Sequence, residues 1–283
     1  MIRKRFEWQV QREALHVGER TFIAAFLDLA SDNDPDRAFV RASTFAAEGA
    51  DYVEIGLEPA AGVAEAEELR RLVPVLKRLK SAPEIRLAVM TSKSAVAAKA
   101  IEHGASIVHD PTGLTADADL AKVVAQGDAG LILSHMRGSP ETWPRLGSYP
   151  DPAGALIVEM DAAIGRAVRS GVLRKRIVID PGFDYGKRKE QNIDLLEGLD
   201  RLATFDLPLH IAPSGRRWVA QALACDATDL AALTAGILRG AHIVRVHQVT
   251  PARAAAALAD ALLLAQPAEP ALPKAHRRWH RGQ

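Results

Sequence analysis

The chain has one cysteine, few aromatic residues, no long apolar run and almost no net charge, and each shortage removes a class of protein. A single cysteine, Cys225, excludes an internal disulfide framework and a cysteine-built zinc centre. It follows Ala-Leu-Ala in a helical pattern and reads as buried filler rather than a nucleophile. No run of apolar residues reaches membrane-spanning length, and the charged start (Arg3, Lys4, Arg5, Glu7) has no apolar segment of the kind a secretory signal needs. A cytoplasmic location and no membrane partner are expected. Lys and Arg total 36 against 35 Asp and Glu, a formal charge of +1 that offers no footprint for nucleic acid. Aromatic residues make up 5%, little for lining a sugar groove, which argues against glycoside hydrolysis by a carboxylate pair such as Asp28 and Asp180. A P-loop and a Gly-x-Gly-x-x-Gly turn are both missing.

What is present is a long alternation of strand-like and helix-like segments. Phe6–Val10 and Ala14–Val17 alternate and precede a Gly18-Glu19-Arg20 turn, which predicts an N-terminal hairpin over 1–20. Eight apolar runs follow: Thr21–Leu27, Tyr52–Ile55, Arg86–Met90, Ser106–His109, Gly130–Leu133, Ile177–Ile179, Leu209–Ala212 and Ile243–Val246. The amphipathic stretches between and after them are Pro35–Glu48, Ala64–Lys80, Ser92–His103, Ala118–Ala125, Ala153–Ser170, Asn192–Leu202, Trp218–Arg239 and Pro251–Ala265. Ser92 and Thr250 are expected as N-caps, and Gly49, Gly104, Gly171 and Gly240 as helix terminators. Gly-Ala recurs just before strands at 49–50, 104–105 and 240–241, so the αβ units look equivalent. The pattern predicts an α/β fold, a (β/α)8 TIM barrel over 21–266, in preference to a doubly wound open sheet. The tail 267–283 carries Pro267, Pro270 and Pro273, then Lys274, His276, Arg277, Arg278, His280 and Arg281 around Trp279; it reads as a frayed terminus more than a phosphate-binding arm.

The chain is organised around Ile177-Val178-Ile179-Asp180-Pro181-Gly182-Phe183-Asp184-Tyr185-Gly186-Lys187. Three β-branched residues make a buried strand, and a carboxylate stands at its tip before a glycine-bearing loop. Asp180 suits a polar heterocycle there; the alternative is that it caps the following turn. In a barrel the chemistry sits at the C-terminal strand ends. Those positions hold Asp28, Glu54, Met90, His109, Asp110, His135, Arg137, Asp180, Arg216, Arg217, Arg245 and His247, with Lys187 from the central loop. Arg245 and His247 share one side of the last strand and offer a donor fork and a second donor, a pair for a phosphate or diphosphate. His109-Asp110 is a metal or proton-transfer pair in one reading; in the other, Asp110 fixes the loop before Pro111. His135 and Arg137 either shape the mouth or pair with neighbours.

These residues carry a resemblance. The run Asp180–Lys187 with Asn192 and Leu195-Leu196, the run His135-Met136-Arg137-Gly138-Ser139-Pro140, and Arg245-Val246-His247-Gln248-Val249 resemble, in order and from about Thr21 to Ala265, the motifs of dihydropteroate synthase and the wider pterin-binding family. The resemblance implies a pterin pocket in the barrel, with Asp180, His109, Asp110, Lys187 and Arg216 as pterin-binding residues and Arg245 and His247 on a diphosphate. It implies Mg2+ near Asp28, an arylamine such as p-aminobenzoate as second substrate in folate or methanopterin-type cofactor synthesis, and a homodimer. The family's Ser-Val-Asp-Thr reads Ala88-Val89-Met90-Thr91 here, its Ile-Asn-Asp reads Val108-His109-Asp110, and its Ser-Arg-Lys reads Ser214-Gly215-Arg216. The first loop reads Asp28-Leu29-Ala30-Ser31-Asp32-Asn33-Asp34 and the second Leu57-Glu58-Pro59-Ala60-Ala61-Gly62, without the arginine that closes over p-aminobenzoate. A non-catalytic pterin-binding paralogue and a methyl-pterin:corrinoid methyltransferase are the other functions the resemblance admits.

Overall fold

Residues 3–31, 33–57, 62–147, 149–213 and 227–265 are described by a computed structural model. Cys225, Arg216, Arg217, most of the second loop and the tail from 266 lie outside the described residues. The first two strands, β1 (Phe6–Val10) and β2 (Glu13–Val17), form the expected antiparallel hairpin, Phe6 opposite Val17 and Val10 opposite Glu13. The barrel strands are β3 (Phe22–Asp28), β4 (Tyr52–Gly56), β5 (Leu87–Met90), β6 (Ala105–Asp110), β7 (Gly130–Ser134), β8 (Ile177–Asp180), β9 (His210–Ile211) and β10 (Ile243–Val246). They lie in the order β8-β7-β6-β5-β4-β3-β10-β9, all parallel. Ile179 pairs with Leu209 and its N–H donates to the Pro208 carbonyl (3.0 Å), which brings the two end strands together. The predicted (β/α)8 barrel with an N-terminal hairpin is the fold.

The helices are α1 (Pro35–Ala47), α2 (Glu65–Leu79), α3 (Ser94–Glu102), α4 (Leu120–Gln126), α5 (Pro152–Arg169), α6 (Lys189–Glu197), α7 (Ala227–Leu238) and α8 (Val249–Ala265). Asp34 and Asp151 cap α1 and α5 by accepting from Arg37 N (2.9 Å) and Gly154 N (3.0 Å), with a proline next in each case. The four expected glycine terminators all have positive φ. Three helix expectations need correction. The Ser92 cap fails because α3 begins at Ser94, whose N–H is taken by Asp117 Oδ2 (2.8 Å), a residue distant in sequence. Thr250 lies inside α8, which starts at Val249. The predicted Asn192–Leu202 helix is instead α6 followed by a 3-10 stretch, because Arg188 N donates to Gln191 Oε1 (2.9 Å) and opens the helix earlier.

Alternation inside the barrel sets up everything above it. Phe22, Ala24, Tyr52, Ala88, Ile107, Ile132, Val178 and Ile243 pack with Trp8, Val10, Leu15 and Val17 of the hairpin into one buried cluster. The hairpin is therefore a plug for the N-terminal end. Trp8 is fully buried, its indole N–H donates to the Arg176 carbonyl (2.9 Å), and Gly130 leaves it room, since a Cβ there would stand 3.0 Å from the indole ring. Trp8→Ala is expected to cost about 3–5 kcal/mol in urea unfolding, the usual loss for a large buried aromatic.

His242 ties the plug to the barrel. Its Nδ1 accepts from Leu209 N (3.0 Å) and its Nε2 donates to the Lys4 carbonyl (3.0 Å), so the ring is neutral with one defined tautomer. Burial, helped by the Arg3 guanidinium, lowers its pKa to about 4. The unfolded chain thus binds a proton that the native chain refuses between that value and about 6.5, the free imidazole value. This contribution to stability is whole above the unfolded pKa and is lost as pH falls towards the native one. Between pH 7 and pH 5 the loss is about 2 kcal/mol. Urea midpoints measured at both pH values in the wild type and in His242→Gln check this, the variant being expected to lose less.

Candidate functional site

Further along the strands the inward positions turn mostly polar: Glu54, His109, Ser134, Asp180, His210 and Arg245, with the apolar pair Phe26 and Met90 among them, all buried. Register makes them one layer: Phe26 is opposite Glu54, Met90 opposite His109 and Ser134 opposite Asp180. Burying two carboxylates is costly unless each is paired and hydrogen-bonded, and both are.

Glu54 receives Arg245 Nη1 on Oε1 (3.1 Å), and His109 Nδ1 lies 3.1 Å from both of its oxygens. Burial opposes its ionisation, but His109 and the Arg245 guanidinium overcome that and hold the carboxyl at about 2. Asp180 is ionised too. Burial would raise its pKa, but hydrogen bonds from His210 Nδ1 and the Gly182 N–H bring it below the ordinary value. His210 is lowered by burial and stays neutral. Because a carboxylate only accepts, the His210 proton is on Nδ1, and Nε2 keeps its lone pair with no hydrogen-bond partner among the described residues. The two imidazoles meet edge to face with centroids 5.2 Å apart, and Ser134 Oγ lies 2.7 Å from His109 Nε2. A polar chain therefore crosses the barrel from Arg245 through Glu54, His109 and His210 to Asp180.

The rest of the mouth frames this layer. Arg245 also reaches Met90 Sδ (3.3 Å) and lies over the Phe26 ring (4.3 Å), whose other edge meets half-buried His247 (centroids 5.7 Å). Lys187 Nζ donates to the carbonyls of Gly182 (2.7 Å), His135 (3.0 Å) and Tyr185 (3.2 Å), bracing the loop after β8. That loop packs so closely that a Cβ on Gly182, already at φ 63°, would sit 2.1 Å from the His135 carbonyl oxygen. Asp110 accepts from Thr112 N (2.9 Å), Thr112 Oγ1 (2.7 Å) and Leu114 N, so its carboxylate fastens its own loop. His135 Nε2 pairs with Glu159 (2.9 Å), and Arg137 covers the Tyr149 ring (4.3 Å). Asp28 is half-buried at the tip of β3, with Oδ1 accepting from Ala30 N (2.9 Å). Arg216 is outside the described residues.

The structure thus gathers Asp180, His109 and Arg245 into the barrel and sets His247 and Asp28 at its rim. Two polar members of the layer, Ser134 and His210, escape a reading that looks only past the strand ends. Their signal was the period-2 alternation within β7 and β9, where Ile132 and Ser134, and Leu209 and Ile211 around His210, assign the inward face.

The sequence model of the pterin binding enzyme family matches residues 24–247. A dihydropteroate synthase of Synechocystis sp. is 32% identical over 265 residues, covering 87% of this chain and 91% of the relative. An Arabidopsis thaliana folate synthesis bifunctional protein is 31% identical over 87% of this chain, which spans about half (57%) of that longer protein. The Xanthomonas albilineans dihydropteroate synthase solved in complex with 7,8-dihydropteroate superposes with a TM-score of 0.76 at 28% identity, over 88% of this chain and 94% of that one.

Proposed function

Because the chain belongs to the pterin-binding enzyme family, we propose that it is a divergent dihydropteroate-synthase-like transferase that joins a pterin methyl diphosphate to an arylamine. The observation that carries this reading is the pair of ionised carboxylates buried in the barrel, Glu54 and Asp180. A 2-amino-4-oxo pterin presents adjacent N–H donors, and a fixed carboxylate meets such an edge with charge-assisted hydrogen bonds. Asp180 takes that edge in this reading, with His109, Lys187 and Arg216 around the ring and Asp110 holding the loop beside it. Arg245 and His247 meet the diphosphate.

In the reaction the amine nitrogen forms a bond to the pterin methylene carbon while that carbon's bond to the diphosphate oxygen breaks. Diphosphate leaves with the bonding pair, and the amine gives up a proton. The protein's share is electrostatic: guanidinium and imidazole oppose the charge gathering on the leaving group, and the anionic layer beneath favours a methylene turning cationic. Asp28 fits the Mg2+ that such enzymes use, being a hard-oxygen ligand of which only Oδ1 is engaged among the described residues. The ion would neutralise charge on the diphosphate. A homodimer in the cytoplasm belongs to the same proposal; Leu258 and Leu262, one turn apart on α8, are exposed apolar residues of the kind a second copy covers. No described helix is long and apolar enough to cross a membrane.

Diphosphate release on mixing the pterin methyl diphosphate, p-aminobenzoate, Mg2+ and the purified chain tests the activity. One observation favours ring binding without turnover: Met90, where the family has an aspartate, is fully buried between Arg245 and the Tyr185 hydroxyl (4.0 Å from its sulfur). Saturable pterin binding without diphosphate release from any arylamine supports that second reading and refutes the first.

A further inference from the structure

We propose that Glu54, His109 and His210 form a binding site for a divalent transition ion of the zinc class inside the barrel, distinct from the Mg2+ position at Asp28. One ligand atom from each of the three lies within 4.8 Å of the other two, and all three residues are buried. Two imidazoles and a carboxylate are the donor set that holds zinc at sites with an open fourth position, whereas Mg2+ prefers oxygen alone.

The second observation is His210 Nε2. It is a lone pair in a fully buried side chain without a hydrogen-bond partner among the described residues, and Asp180 fixes it in that state by accepting from Nδ1. An orphaned buried acceptor is costly, and an ion satisfies it. Each ligand also has its own outer partner, as metal ligands do. Asp180 orients His210, Arg245 orients Glu54 through Oε1, and Ser134 Oγ faces His109 Nε2. With an ion bound in place of the proton between His109 Nδ1 and Glu54, His109 Nε2 donates to Ser134 and Nδ1 turns its lone pair to the ion; the 3.1 Å between Nδ1 and the Glu54 oxygens is a ligand–ligand spacing for bonds of about 2.0–2.1 Å. Glu54 and Asp180 bring two buried carboxylates to this layer, and Arg245 brings one guanidinium.

The site is made of protein atoms alone, so its test needs no pterin and its failure leaves the transferase reading standing. Full-length chain stripped with a chelator is titrated with Co2+ alone, following visible d–d absorption, and then with Zn2+ in competition, with millimolar Mg2+ present throughout. The expected result is saturation at about one ion per chain with the intensity of a low-coordinate site. Asp180→Asn is expected to retain that stoichiometry with affinity about 10–100-fold weaker, the usual effect of losing an outer partner. His210→Leu is expected to abolish the absorption. Should it fail to fold, the thermal midpoint of the wild type must still rise on adding Zn2+ and not on adding Mg2+. Absence of Co2+ absorption and of a Zn2+-dependent midpoint in the wild type overturns the proposal, and so does undiminished binding in a folded His210→Leu.

Discussion

Asp180→Ala is expected to weaken binding of a pterin diphosphate by about 10²- to 10⁴-fold. Two hydrogen bonds to an ionised acceptor contribute about 1.5–3 kcal/mol each, and each 1.4 kcal/mol is a factor of ten in affinity. The loss is large because nothing nearby replaces the carboxylate: Glu54 is committed to Arg245 and His109 on the other side of the barrel. Asp180→Asn separates charge from shape. The amide oxygen still accepts from the Gly182 N–H or from His210, while its NH2 turns a donor towards a donor edge, so the affinity loss is expected to approach that of alanine with less damage to folding. Calorimetric titration of the three proteins checks both. Equal affinity in wild type and Asp180→Asn would show that the carboxylate does not read the ring.

Arg245→Gln is expected to destabilise the fold by about 3–5 kcal/mol, the cost of leaving one partner of a buried ion pair uncompensated. Arg245 is 1% exposed and Glu54 0%, so neither charge is screened by water. The physical cause is Glu54 rather than the missing contact. Without the guanidinium, a carboxylate held at about 2 loses one of the charges that keep it ionised and must either stay charged at a cost or take up a proton. Combining Arg245→Gln with Glu54→Gln removes the orphaned charge and is expected to recover most of the loss, which a double-mutant cycle in urea measures. If the double variant is as unstable as the sum of the singles, the pair is not coupled and the polar layer is not held together as described.

How far the chain could be read without coordinates depends on the distance over which each feature is decided. The hairpin and the barrel strands rest on local alternation and apolar runs, and the Gly-Ala joints mark helix ends through backbone geometry, so these were legible. The α3 boundary was not, because the donor at Ser94 is satisfied by Asp117, more than twenty residues away. His210 was hidden for a related reason: β9 is two residues long, too short to show a period by itself, and the residue matters only because Asp180 lies across the closing edge of the barrel. Asp180 and Arg245 stood out since a charge at the end of an apolar strand contrasts with its neighbours. Glu54 was visible as such a charge, but that it joins Arg245 to His109 follows only from barrel closure.

Titration calorimetry of the intact chain with a pterin diphosphate, in the wild type and in Asp180→Asn, tests most directly the claim that the polar layer inside this barrel receives a pterin. The account predicts saturable binding at about one ligand per chain in the wild type, with affinity falling by about a hundredfold or more in the variant. No binding in the wild type, or binding that the variant leaves unchanged, would contradict it.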